Sequence, residues 1–105
     1  MNVNNNQLIA VRKNGYVIQS IKNPSLEVQL AAVRKSGGAI RFIENPSLEV
    51  QLAAVSEDGY AIRFINNPSP EVQLAAVRQY GIMMKYLLNE FSDKFSEEVI
   101  ILLEL

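Results

Sequence analysis

Arg41, Arg63 and Lys85 recur at intervals of 22 residues, and each is followed by an aromatic side chain, Phe42, Phe64 and Tyr86. Cations spaced one structural repeat apart and interleaved with rings can track a phosphate backbone while the rings stack on bases. The same pairing can anchor a protein partner, because Tyr and Arg supply much of the binding energy at interfaces. Neighbouring columns that also vary from repeat to repeat hold Tyr60, Glu57 and Asp58. Arg41, Arg63, Lys85, Tyr60, Glu57 and Asp58 are therefore the candidate partner-binding residues. A purely structural reading stands beside this one: Phe42, Phe64 and Tyr86 fit core positions next to Ile43, Ile65 and Leu87, and the cations fit a solvated face. Glu44, Glu57 and Asp58 interrupt any continuous basic stripe, which favours a protein partner over nucleic acid.

Catalytic chemistry has little to work with. The chain has no Cys and no His, so disulfides, thiolate or imidazole metal ligands and the usual nucleophile–base pairs are all missing. Adjacent carboxylates, Glu57 with Asp58 and Glu97 with Glu98, diverge on a helix instead of facing each other. No glycine loop of phosphate-binding type occurs. The expectation is a non-enzymatic protein without cofactor or metal. A formal net charge of −1 gives no general attraction to nucleic acid or anionic membrane. The first residues lack the basic and apolar regions of a signal peptide, and the densest apolar run, Val99 to Leu103, is too short to span a bilayer. A cytoplasmic location is expected.

The elements that would position these side chains follow from an internal repeat. Asn-Pro-Ser-Leu-Glu-Val-Gln-Leu-Ala-Ala-Val runs from Asn23 to Val33 and again from Asn45 to Val55, and returns from Asn67 to Val77 with Pro70 in place of the first leucine. Units of this length stack, each burying its apolar face on its neighbours. Proline is accepted at the first helical position, so Pro70 marks Ser25, Ser47 and Ser69 as N-caps of a helix of about ten residues. Glu27, Glu49 and Glu71 suit the positive end of its dipole. The column Gly15, Gly37, Gly59, Gly81 predicts left-handed C-caps. Beyond it, apolar stretches such as Gly38 to Ile43 and Tyr60 to Ile65 read as a second short helix, with a strand as the alternative. The next Asn-Pro stops it.

Within the longer helix Val28, Ala31 and Ala32 form one apolar stripe and Leu30 and Val33 another, which predicts that the alanine pairs (Ala31, Ala32, Ala53, Ala54, Ala75 and Ala76) are buried between repeats. The invariant columns Gln7, Gln29, Gln51, Gln73 and Asn23, Asn45, Asn67, Asn89 are expected to tie down the connecting loops through backbone hydrogen bonds.

The repeated phrase resembles the leucine-rich-variant and HEAT-like α-helical repeats, and is similar to helical repeats in bacteriophage and mobile-element proteins. The resemblance implies a curved stack of short helices and a phage or bacterial origin, and it carries over no catalytic residues. The fold expected is all-α: a single domain over residues 1–105, a right-handed α-solenoid of four 22-residue hairpins (about 1–22, 23–44, 45–66 and 67–89) with a terminal helix over 96–105.

The two ends differ. Asn4, Asn5 and Asn6 replace the apolar start of the phrase, as in a capping repeat. Val99, Ile100, Ile101, Leu102, Leu103 and Leu105 make the last helix the most apolar, which predicts a homodimer through it; the competing outcome folds that helix, with Phe91 and Phe95, over the fourth repeat. The function expected is a protein-binding module: a phage or mobile-element effector that binds and inhibits a host defence protein such as a CRISPR nuclease. The alternatives are a nucleic-acid binder using Arg41, Arg63 and Lys85, and a structural assembly module.

Overall fold

A computed structural model describes residues 3–81 and 92–104. Lys85, Tyr86, Leu87, Asn89, Phe91 and Leu105 lie outside the described residues, as does the side chain of Leu103. All regular structure among the described residues is helical. In chain order it comprises α1 (Val3–Lys13), the 3-10 helix η1 (Gly15–Ser20), α2 (Leu26–Lys35), η2 (Gly37–Phe42), α3 (Leu48–Glu57), η3 (Gly59–Phe64), α4 (Pro70–Tyr80), η4 (Ser92–Lys94) and α5 (Glu97–Glu104). The α-helices pack in sequence, α1 on α2, α2 on α3 and α3 on α4, and η1, η2 and η3 form a second rank beside them. The result is 53 Å long and about 20 Å across. No helix among the described residues is long and apolar enough to cross a membrane.

Local chemistry sets each boundary. The hydroxyls of Ser25, Ser47 and Ser69 accept from the backbone N–H of Val28, Val50 and Val72 at 3.2, 3.3 and 3.4 Å, so one otherwise orphaned donor per helix is satisfied. Gln29, Gln51 and Gln73 each donate a side-chain N–H to the carbonyl of Pro24, Pro46 and Pro68 at 3.0 Å. The glutamines thus hold the loops. The asparagines act differently from expectation: Asn23, Asn45 and Asn67 carry positive φ of 49°, 49° and 51°. Asn is among the few residues that enter the left-handed region at low cost, and there it reverses the chain between η helix and proline.

The second helix of each of the first three units is a 3-10 helix. Only six residues separate its capping residue from the loop, and i→i+3 bonding closes one more hydrogen bond in so short a segment than i→i+4 bonding does. Its side chains eclipse every third position, which is why Ile40 with Ile43 and Ile62 with Ile65 all turn inward.

The glycine column is also corrected. Gly15, Gly37 and Gly59 are not left-handed caps; only Gly81 has positive φ, and its ψ of −132° places it outside the left-handed helical basin. Gly37 and Gly59 are needed for close approach, since a Cβ there would stand 2.6 Å from the carbonyl oxygen of Ala54 or Ala76 in the next unit. Gly15 meets the carbonyl of Ala32 in the same way.

Between the two ranks lies a continuous core of Val11, Ile18, Val28, Val33, Ile40, Val50, Val55, Ile62 and Val72. Of each alanine pair, the second member (Ala32, Ala54, Ala76) is fully buried, whereas Ala31, Ala53 and Ala75 are only half-buried at its margin.

At the first end, Asn4 donates to the Glu27 carboxylate at 3.0 Å and accepts from the Ser25 hydroxyl at 2.8 Å, while Asn5 and Asn6 face solvent. At the other end, Ser96 caps α5 by accepting from Val99 N–H, and its own N–H donates to Gln73 Oε1 at 2.6 Å. Phe95 and Val99 join the core, with Ile100 packed against it. Val99 is therefore not free to meet a second copy, contrary to its place among the expected dimer residues. Ile101 and Leu102 remain 53% and 60% exposed.

Candidate functional site

Eclipsing in the 3-10 helices builds the site. Tyr60 and Arg63 are three residues apart in η3, so the guanidinium lies over the ring at 4.3 Å from its centroid. It also covers Phe64 at 4.5 Å. In η2 the place of Tyr60 is taken by Gly38, and Arg41 finds its rings elsewhere: Phe42 at 4.6 Å, Tyr16 of the preceding unit at 5.6 Å and Phe64 of the following unit at 5.7 Å. Gly38 makes that possible. A Cβ at this position would stand 2.7 Å from the Tyr16 hydroxyl oxygen.

Arg41 and Arg63 thus share the Phe64 ring and form successive rungs of one exposed ladder. Edge-to-face contacts continue it, Tyr16 to Phe42 at 6.3 Å and Tyr60 to Tyr80 at 6.2 Å. Arg41 has three ring centroids and Arg63 two within 6 Å of its guanidinium carbon, the range of a cation–π contact, and both side chains are exposed. Among the described residues no carboxylate forms an ion pair with either arginine. Phe42 and Phe64 are half-buried: each ring packs against the core and also lies beside an arginine.

Asp58 does something other than present a free carboxylate. It ends α3 and starts η3, its Oδ1 accepting from Tyr60 N–H at 3.0 Å and from the Tyr80 hydroxyl at 3.1 Å. Burial, followed by the hydrogen bond to this carboxylate, pushes the Tyr80 phenol above its ordinary value, and the Arg63 charge opposes the shift. Glu57 is exposed at the last turn of α3, and it is its backbone carbonyl that accepts from Gln79 Nε2, at 3.5 Å. The structure therefore brings Arg41, Arg63 and Tyr60 together and gives Asp58 a capping role behind them. Lys85, the next position in the same column, lies outside the described residues.

Beside the ladder run two clefts related by the 22-residue repeat. One, of about 410 Å³, is lined by Ile21, Asn23, Pro24, Gln29, Phe42 and Ile43 with Glu44 and Asn45. Its counterpart, of about 490 Å³, is lined by Ile43, Asn45, Pro46, Gln51, Phe64 and Ile65, together with Arg41. Among the described residues no group of three or more carboxylates is placed to hold a metal ion.

Tyr16 and Tyr80 escape a reading of the cation column alone. For Tyr16 the available signal is the column Tyr16, Gly38, Tyr60, in which the glycine gap is as informative as the two rings. Comparison with family models, with curated proteins and with solved structures finds no match, so the geometry of this face carries the functional argument.

Proposed function

We propose that the protein is a non-enzymatic protein-binding module, a right-handed solenoid of four short hairpins closed by α5, whose partner rests on the ladder of Arg41, Arg63 and Tyr60. The single observation behind this is that two exposed arginines, one repeat apart, are held by rings yet have no carboxylate partner among the described residues. A guanidinium already fixed in orientation loses little freedom on binding, so its hydrogen bonds contribute to affinity instead of to ordering. Lys85 would extend the same column by one step.

Nucleic acid is the weaker alternative, because Arg41 and Arg63 already lie over the rings that bases would stack on. The narrower reading, a phage or mobile-element effector that blocks a host defence nuclease, rests on the resemblance of the repeated phrase. Affinity capture from a bacterial lysate with the intact chain and with an Arg41→Ala, Arg63→Ala variant tests the proposal. A protein retained by the first and lost by the second supports it; recovery of RNA or DNA in place of protein, or equal capture by both, overturns it.

A further inference from the structure

We propose that the ligand of the ladder is an extended acidic peptide segment in the polyproline II conformation, carrying one carboxylate at every third residue, one for each rung. The inference rests on the reading of this face as the partner surface and specifies what that partner presents. An exposed guanidinium held among rings keeps its planar fork of N–H donors as a recognition element, and the group that matches this fork is a carboxylate or a phosphate.

Spacing then selects the chain that carries it. Neighbouring packed helices stand about 8–10 Å apart, and the guanidinium carbons of Arg41 and Arg63, at 5.7 and 4.5 Å from the one Phe64 centroid, are separated by no more than about 10 Å. Three residues of polyproline II advance about 9.3 Å and return the side chain to the same side. Two residues of a β-strand advance only about 6.6 Å, and three turn the side chain to the opposite face. A polyproline II segment therefore keeps register with the rungs over successive repeats, and a strand does not.

The clefts between rungs supply the rest of the fit. Each has an apolar part, Ile21, Phe42 and Ile43 in the first and Ile43, Phe64 and Ile65 in the second, which suits proline or small apolar side chains at the intervening positions. Glu44 lines both clefts, so a ligand carboxylate that slips out of register meets a like charge. Attraction on the rungs and repulsion between them together fix the register.

The probe is a dye-labelled acetyl-(Glu-Pro-Pro)4-amide, titrated with the intact chain at low salt and followed by fluorescence anisotropy. The control peptide has the same composition with its four glutamates in one block. The repeating peptide should bind about tenfold tighter than the block peptide, and Arg41→Lys with Arg63→Lys, which keeps the charge and loses the fork, should remove most of that difference. Equal affinity for the two peptides, indifference to the lysine variant, or tighter binding of an oligothymidylate of matched charge would each overturn the proposal. If protein capture from lysate depends on Arg41 and Arg63 while the repeating peptide fails to bind, the acidic-peptide inference is wrong and the protein-binding reading stands.

Discussion

Asn45 and Tyr80 illustrate how single residues serve this molecule in ways that their types alone leave open. The 49° φ of Asn45 costs an Ala about 1–2 kcal/mol and costs Gly no steric penalty. Asn45→Ala should therefore lower stability by about 1 kcal/mol in urea unfolding, and Asn45→Gly by clearly less. Equal losses would show that the asparagine side chain, not the backbone conformation, is what the loop needs. Tyr80 has its phenol pKa raised, first by burial and then by its bond to Asp58. A raised acid pKa means that the folded state holds the proton longer, so this contribution is complete below about pH 10, the ordinary phenol value, and is lost as pH rises through the folded-state value. The melting temperature of the intact chain should fall more steeply above pH 10 than that of Tyr80→Phe. Parallel curves would remove the role given to this pair.

Helix boundaries were legible because serine, proline and glutamate at fixed offsets have few other uses, and the three serine caps appear where Pro70 implies them. The glycine column is ambiguous in the sequence for a physical reason: a glycine after a helix serves equally well as a left-handed cap or as a gap for a neighbouring carbonyl, and the second use depends on the next unit of the row. The 3-10 character of the second helix was present in the Ile40 to Ile43 spacing, but six residues cannot separate periods of 3.0 and 3.6. That distinction matters for the site, since eclipsing at the tighter period is what sets Arg63 on Tyr60. The second alanine of each pair is fully buried and the first only half-buried. Ala54→Leu should overpack the buried position and cost roughly 1–3 kcal/mol, whereas Ala53→Leu, at the half-buried margin, should cost much less. Thermal melts of the two variants check this, and similar losses would mean that the packing faces are misassigned.

The molecule as a whole is a row of similar units with unlike ends. Gln73 and Ser96 fasten α5 to the row, and Phe95 and Val99 seal it, which accounts for part of the apolar surface that the last helix presents in the sequence. Ile101 and Leu102 remain exposed side by side, and two-fold pairing through them is the expected homodimer contact. Light scattering at micromolar concentration should give a dimer for the intact chain and a folded monomer for Ile101→Glu, Leu102→Glu. A monomer in both cases would show that the seal made by Phe95 and Val99 suffices.

The expected dimer contact at α5 and the ladder on the η rank lie on different elements, so occupation of one can be read apart from the other. Hydrogen–deuterium exchange of the chain, free and bound to the protein it captures, tests the central claim most directly. The account predicts new protection concentrated in Gly37–Phe42 and Gly59–Phe64, with the α-helical rank unchanged. Protection confined to α5, or spread along the outer faces of α2 and α3 with none on the 3-10 helices, would contradict it.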